Sequence, residues 1–459
     1  MLRAALMSVL LLGACGAQMS TPPSRLPQGP VTLPPIMTFP PTRADAPERP
    51  NTQIAQDFLD LAFRMESGRS LPAMTRFDEP VSVRVTGQAP PSLGPDLSVL
   101  LERLRREAGI DIRRVATNQA AQITIEVLPR DRLQRLVPQA ACFVAPRVTS
   151  WDEYRRARRS DRVEWATLTQ RDQVAIFVPG DVSPQELRDC LHEELAQALG
   201  PLNDLYRLPD SVFNDDNFHT VLTGFDMLVL RAYYAPELEN GMTRDEVAQR
   251  LPALLARLNP AGERISQRPP VAPTSRDWID AIETALGPRT AASQRRQAAD
   301  RAVEIARANG WLDSRLAFSL FAKGRLTLAS EGDAALRAFL EAGQIYAARP
   351  ETRVQRAHVA MHLAAFALSS GQPDIVLEFI NRNLAPTVNS QNAALLSSML
   401  MIKAEALEAQ GRASEARAVR RDALGWARYG FGSETEVRAR LSEIAALNPA
   451  APPRLGPSF

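Results

Sequence analysis

Apolar positions recur along this chain with two periods, and the order in which the periods alternate divides it. Phe58, Leu61, Ala62 and Met65 are spaced as on one helix face, and a second helix reads from Leu97 to Ala108. Val81-Ser-Val-Arg-Val85 and Ile123-Thr-Ile-Glu-Val127 alternate apolar with polar, as strands do. Val174-Ala-Ile-Phe-Val178 is a short apolar run closed by Pro179 and Gly180. The next periodic stretch, Pro184 to Leu199, sets Leu191, Leu195, Ala198 and Leu199 on one stripe, bordered by Glu193, Glu194 and Gln197. A small mixed sheet backing this helix predicts an α+β domain. Downstream the two-residue period disappears. From about Ser293 to Leu447 the pattern predicts seven or eight amphipathic helices and no strand.

Proline marks the boundaries. Ten prolines between Gly16 and Pro50 predict an extended tether over 16–50, able to span up to about 100 Å at about 3 Å per residue. Four more between Asn259 and Ser275 separate a folded region, 51–265, from helices over 291–448, with a linker at 266–290 and a tail at 449–459. Within the helices, Gly332, Gly371 and Gly411 fall 39 and 40 residues apart. Ala404, Gly411, Ala416 and Ala423 stand at the offsets tetratricopeptide repeats use for close packing, and this unit resembles that family. Earlier units match less well: Ala364 precedes Gly371 at the same offset, but Val376 and Asn383 replace the later small residues. The resemblance implies a degenerate all-α helical-repeat array with a continuous core and a concave face for a protein or peptide partner.

Chemistry concentrates in Cys190-Leu-His-Glu-Glu-Leu-Ala-Gln-Ala-Leu-Gly-Pro-Leu-Asn203. From Glu193 it reads EExxQxxGxxN, the spacing of a zincin HExxHxxGxxH without its histidines. Residues four apart on a helix lie about 6 Å apart along its axis, close enough to hold one ion. Glu193, Gln197 and Asn203 therefore stand where metal ligands would be, and Glu194 where the general base would be. Gly200 is expected to end the helix in a left-handed conformation and turn Asn203 back to the site. Amide oxygens are weak ligands for zinc, whose sites draw on His, Glu, Asp or Cys. They suit calcium, which takes six to eight oxygens, but the sequence shows no cluster of carboxylates to supply them. Starting one residue earlier, at His192, puts Ala196 where the second histidine belongs. The segment thus predicts a zincin-like scaffold, with no cofactor or a divalent metal as alternatives.

The same run, followed by Ser211-Val-Phe-Asn-Asp215, Leu228-Val-Leu-Arg-Ala-Tyr-Tyr-Ala-Pro236 and Gly241-Met-Thr, resembles a bacterial lipoprotein family catalogued as domain of unknown function 2927. The resemblance covers roughly residues 51 to 265. It implies a secreted or lipid-anchored protein with a zincin-like core and no established reaction.

The N-terminus agrees. Arg3, the apolar stretch Ala4–Leu12 and Leu12-Gly13-Ala14 ahead of Cys15 read as a lipoprotein signal, cleaved before a lipidated Cys15. About a dozen apolar residues are too few to cross a bilayer. Gly16 after the cysteine, by analogy with enterobacterial lipoproteins, predicts release to the outer membrane. Lipidation leaves Cys142 and Cys190, which in an oxidising envelope are expected to pair; two buried thiols are the alternative.

Composition excludes little. With 459 residues, 45% hydrophobic and 23% charged, the chain is ordinary for two or three folded domains. A net charge of +2 argues against nucleic acid as a partner. Arg155-Arg-Ala-Arg-Arg159 with Arg162 reads as a solvated face, and His358 and His362, four apart, as repeat-packing residues. His219 is a candidate for a missing ligand of the Glu193 site, and Asp226 with Arg231 for a second shell or a buried ion pair. Two readings remain open: a catalytically silent domain in an envelope binding factor, or an atypical metallohydrolase acting on peptide or cell-wall material through Glu194.

Overall fold

The computed structural model describes residues 33–40, 44–78, 80–267, 271–287 and 289–449. The expected signal segment with Cys15, and the tail beyond residue 449, lie outside those residues. Among the described residues no helix is long and apolar enough to cross a membrane.

Five strands organise the N-terminal region: β1 (Val81–Gly87), β2 (Ile112–Arg114), β3 (Ile123–Leu128), β4 (Phe143–Pro146) and β5 (Val174–Pro179). They lie in the order β2-β1-β3-β5-β4, parallel except for β4, which runs antiparallel to β5 at the edge. Strand alternation sorts the side chains of β5 to two cores. Val174, Ile176 and Val178 join the main one, while Ala175 and Phe177 join a cluster around Leu133, Val148 and Trp151 on the opposite face. Covered on both sides, β5 carries an unbroken apolar run; β1, with one face only half-buried, alternates.

Helices α1 (Asn51–Ala62), α2 (Leu93–Arg103), α3 (Arg130–Gln134), α4 (Trp151–Ala157), α5 (Pro184–Leu199), α6 (Gly224–Tyr233) and α7 (Arg244–Leu258) complete the domain. α5 is fixed at both ends. Ser183 accepts a hydrogen bond from the Glu186 amide (3.1 Å), and Pro184 occupies the first turn. At the other end the buried Arg171 guanidinium donates to the Gln197 and Ala198 carbonyls (2.6 Å each) and to that of Gly200, placing a cation where the helix is negative. A disulfide joins Cys190 of α5 to Cys142, just before β4, with the Cα atoms 6.0 Å apart.

Gly200 departs from expectation. Its φ of −165° is extended rather than left-handed. The Tyr233 ring lies against it: a Cβ there would sit 3.0–3.1 Å from three ring atoms and would press the ring back by a few tenths of an ångström.

All remaining elements are helical: α8 (Arg276–Leu286), α9 (Ala292–Ala308), α10 (Ser314–Thr327), α11 (Gly332–Ala347), α12 (Arg353–Ser369), α13 (Pro373–Asn389), α14 (Ala393–Ala409), α15 (Ala413–Gly430) and α16 (Glu434–Ala445). α8 falls inside the expected linker 266–290. Trp278, Ala281, Ile282 and Ala285 form its buried stripe. The repeat is a helix pair: the second helices of three successive pairs have their N-caps at Glu331, Gln372 and Arg412, 41 and 40 residues apart. Small residues at Gly324, Ala364 and Ala404 recur every 40 residues. The Phe339 ring fills the place of the missing Gly324 Cβ, with its atoms 2.8–3.0 Å away. Gly371 and Gly411 are left-handed (φ +69° and +74°), whereas Gly332 lies in the first turn of α11 and marks no such end.

The array packs directly against the N-terminal domain. Tyr206 and Phe218, from the N-terminal domain, belong to its core: Tyr206 meets Trp278 (5.1 Å between ring centroids), and Phe218 meets Phe321 (5.2 Å) and His358 (4.8 Å). Arg188 donates to the Gln391 carbonyl (2.7 Å) and Gln355 to the Pro209 carbonyl (2.5 Å). The proline-rich stretch also docks over its described part. The Met37 amide bonds the Gly425 carbonyl (3.1 Å), Phe39 stacks on Trp426 (4.3 Å), and Arg49 pairs with Asp57 (2.7 Å) and Asp210 (2.8 Å). The expected free tether of 16–50 is shortened accordingly.

Candidate functional site

The apolar stripe of α5 does what its spacing predicts: Leu191, Leu195, Ala198 and Leu199 are buried in the main core. That orientation fixes the polar border. Glu193 comes together with Asp204 and Asp215, and one oxygen from each lies within 4.8 Å of the other two. Asp204 and Asp215 belong to the loop 203–222 that follows the helix. Glu66, in the turn after α1, abuts Asp204 and adds a fourth carboxyl. The expectation that this chain holds no carboxylate cluster is therefore corrected. The fold assembles one from α5, the loop that follows it and the distant turn after α1.

Gln197 joins this group as a support, its Nε2 donating to Asp204 Oδ2 (3.1 Å). Asn203 is buried, and its Nδ2 donates to the Asp60 carbonyl of α1 (2.9 Å). Glu194 is 4% exposed and its Oε2 has no hydrogen-bond partner within the protein. His192 is buried, with Nδ1 accepting the Leu222 amide (3.1 Å). His219 bonds the Pro209 carbonyl (3.0 Å) and lines a different cleft, of about 610 Å³, with Arg103, Asp210 and Arg353.

Electrostatics follow from crowding like charges in a poorly solvated place. Burial pushes Glu193 up to about 8, reinforced by Asp215, Glu66 and Asp189. Asp215 is pushed up to about 7 by burial, then by Glu66 and Glu283, against a Tyr206 hydrogen bond that lowers it. Glu194 and Asp204 are held well above the carboxylate range, first by burial and then by the same neighbours. His192 is driven the other way, by burial and the Arg103 and Arg188 charges.

These donors do not fit zinc in a zincin frame. A catalytic zinc site usually has two or three imidazoles or thiolates among its ligands. Here the gathered donors are carboxylates and amides, and no histidine belongs to the cluster among the described residues. An all-oxygen set favours harder ions such as calcium, magnesium or manganese.

The other candidates have structural roles. Asp226, fully buried, accepts from Ser211 Oγ (2.5 Å) and the Val212 (3.1 Å) and Thr223 (2.7 Å) amides, capping α6. Arg231 reaches the Glu107 carbonyl (2.8 Å). His362 stacks on Phe339 (4.5 Å, 7° between planes). Sequence reasoning missed Asp204, Asp215 and Glu66. Asp204 adjoins Asn203, and Asp215 closes a motif already singled out, so both were in view without a spacing rule to join them.

The sequence model of a family described as "Protein of unknown function (DUF2927)" matches residues 51–253. The match ends inside α7, covers the sheet, α5 and the loop that carries Asp204 and Asp215, and leaves out the helical array. No curated protein and no solved structure matches the chain.

Proposed function

We propose that this protein is an envelope lipoprotein, anchored through Cys15, whose zincin-like domain lacks peptidase chemistry and acts with the helical array as a binding or assembly factor. One observation carries the reading. The three positions a zincin gives to metal-binding imidazoles hold Glu193, Gln197 and Asn203, and Asn203 is turned to the Asp60 carbonyl. A general base needs a polarised water to act on, and with no imidazoles at these positions to hold a zinc Glu194 has none. The helical array supports the binding role, since stacked helix pairs offer extended surfaces for a protein or peptide partner.

Glu194 favours a second reading, as a hydrolase, because a buried carboxyl with an unpartnered oxygen beside a possible cation site is where a base would stand. Complementing a deletion strain separates the two. The proposed function predicts that Glu194→Gln restores the phenotype fully while Cys15→Ala, which cannot be lipidated, does not. Loss of complementation by a folded Glu194→Gln protein would transfer the function to hydrolysis.

A further inference from the structure

The carboxylates around Glu193 have a use that does not depend on whether the domain hydrolyses anything. We infer that Glu193, Asp204 and Asp215, with Glu66 as a fourth donor, bind one hard divalent cation of the calcium class that fastens loop 203–222 to α5. Calcium binds oxygens at about 2.3–2.6 Å, so two ligands on opposite sides of one ion stand up to about 5 Å apart. The separations within 4.8 Å among the three carboxylates fall inside that limit. Carboxylates drawn from a helix, a loop and a turn, with waters completing the shell, suit the flexible coordination of calcium better than the strict octahedron of magnesium.

A second observation points to the same ligand. Glu194, 4% exposed, keeps one carboxyl oxygen without any donor. It stands three residues before Gln197, on adjoining positions of one helix face, and Gln197 bonds Asp204. Asp204 Oδ1 is likewise enclosed and without a donor. Buried polar atoms without partners are rare in native proteins and call for an ion or a water. A cation amid Glu193, Asp204 and Asp215, with its waters, satisfies both oxygens and offsets the mutual repulsion of the group.

The site also has a route to the array. Tyr206 neighbours Asp215, and its ring packs against Trp278 and Phe318 of the helices. Holding Asp215 on the cation thus holds Tyr206 in the array core.

The test is calorimetric titration of calcium, magnesium and zinc chlorides into the chelator-treated full chain, with Asp204→Asn, Asp215→Asn and Glu66→Gln beside it. Each variant is checked for folding by circular dichroism; Glu66 is exposed, so its variant serves if a loop variant fails to fold. We expect one calcium per chain, bound more tightly than magnesium, raising the melting temperature of the parent. Affinity should fall by about tenfold or more in each folded variant. Absence of calcium uptake by the folded parent, uptake undiminished in the variants, or zinc bound at the same stoichiometry and not displaced by calcium would overturn the inference.

Discussion

Individual residues here are constrained by what touches them, and three illustrate how. Gly200 is constrained by the Tyr233 ring, which is 1% exposed, has its hydroxyl on the Thr75 carbonyl (3.3 Å) and has little room to retreat. Gly200→Ala should therefore cost about 1–3 kcal/mol in urea unfolding through overpacking at the end of α5; a neutral result would mean that the ring moves. His358 and His362 are pushed down to about 3 and about 4, each by burial first. His362, Arg325 and His219 then act on His358, and Arg325 and Arg440 on His362. In the unfolded chain both titrate near about 6.5. Below that value the unfolded state binds protons that the folded state refuses, so their contribution to stability is complete above about pH 6.5 and is lost as pH falls toward 4. Urea melts at pH 7 and pH 5 should show a smaller acid loss in a His358→Asn/His362→Leu variant than in the parent. An equal loss would place the acid sensitivity elsewhere.

At the scale of elements, α5 is held by its cap, by Arg171 and by the Cys142–Cys190 bridge. The bridge closes a separation of 48 residues, for which chain entropy gives about 4 kcal/mol. Cys142→Ala/Cys190→Ala should lower unfolding free energy by a few kcal/mol without changing the sheet's circular dichroism. Loop 203–222 is the second such element, since it supplies Asp204 and Asp215 to the domain and Tyr206 and Phe218 to the array. Phe218→Ala removes a buried ring from between Phe318, Phe321 and Tyr346 and should cost about 3–5 kcal/mol. Differential scanning calorimetry would show whether one cooperative transition then splits into two, as the shared core predicts. What was legible in the sequence follows the same division. The stripe of α5, the run of β5 and the 40-residue spacing were readable because periodicity reports burial directly. The carboxylate group was not, because Glu66, Glu193, Asp204 and Asp215 meet only through tertiary packing. α8 was obscured by the prolines before it although Trp278, Ala281, Ile282 and Ala285 carry a helix pattern. The end at Gly200 was misread because helix-terminal glycines usually supply a positive φ, whereas here a neighbouring ring crowds the position.

Over the whole molecule, the domain and the array form one interlocked body rather than two units on a string. Residues 33–40 lie along α15, Arg49 ties the following segment to α1 and to loop 203–222 through Asp57 and Asp210, and the loop enters the helical core. The proline-rich segment acts as a strap over its described part. The positions at which a zincin motif carries imidazoles hold the oxygen donors Glu193, Gln197 and Asn203 in this chain. Inductively coupled plasma mass spectrometry of the full chain, isolated without chelator alongside Glu193→Ala and Gln197→Ala, tests that claim most directly. The account predicts no stoichiometric zinc in any of the three, with calcium near one equivalent in the parent and lost in Glu193→Ala. One equivalent of zinc in the parent, absent from both variants, would contradict it.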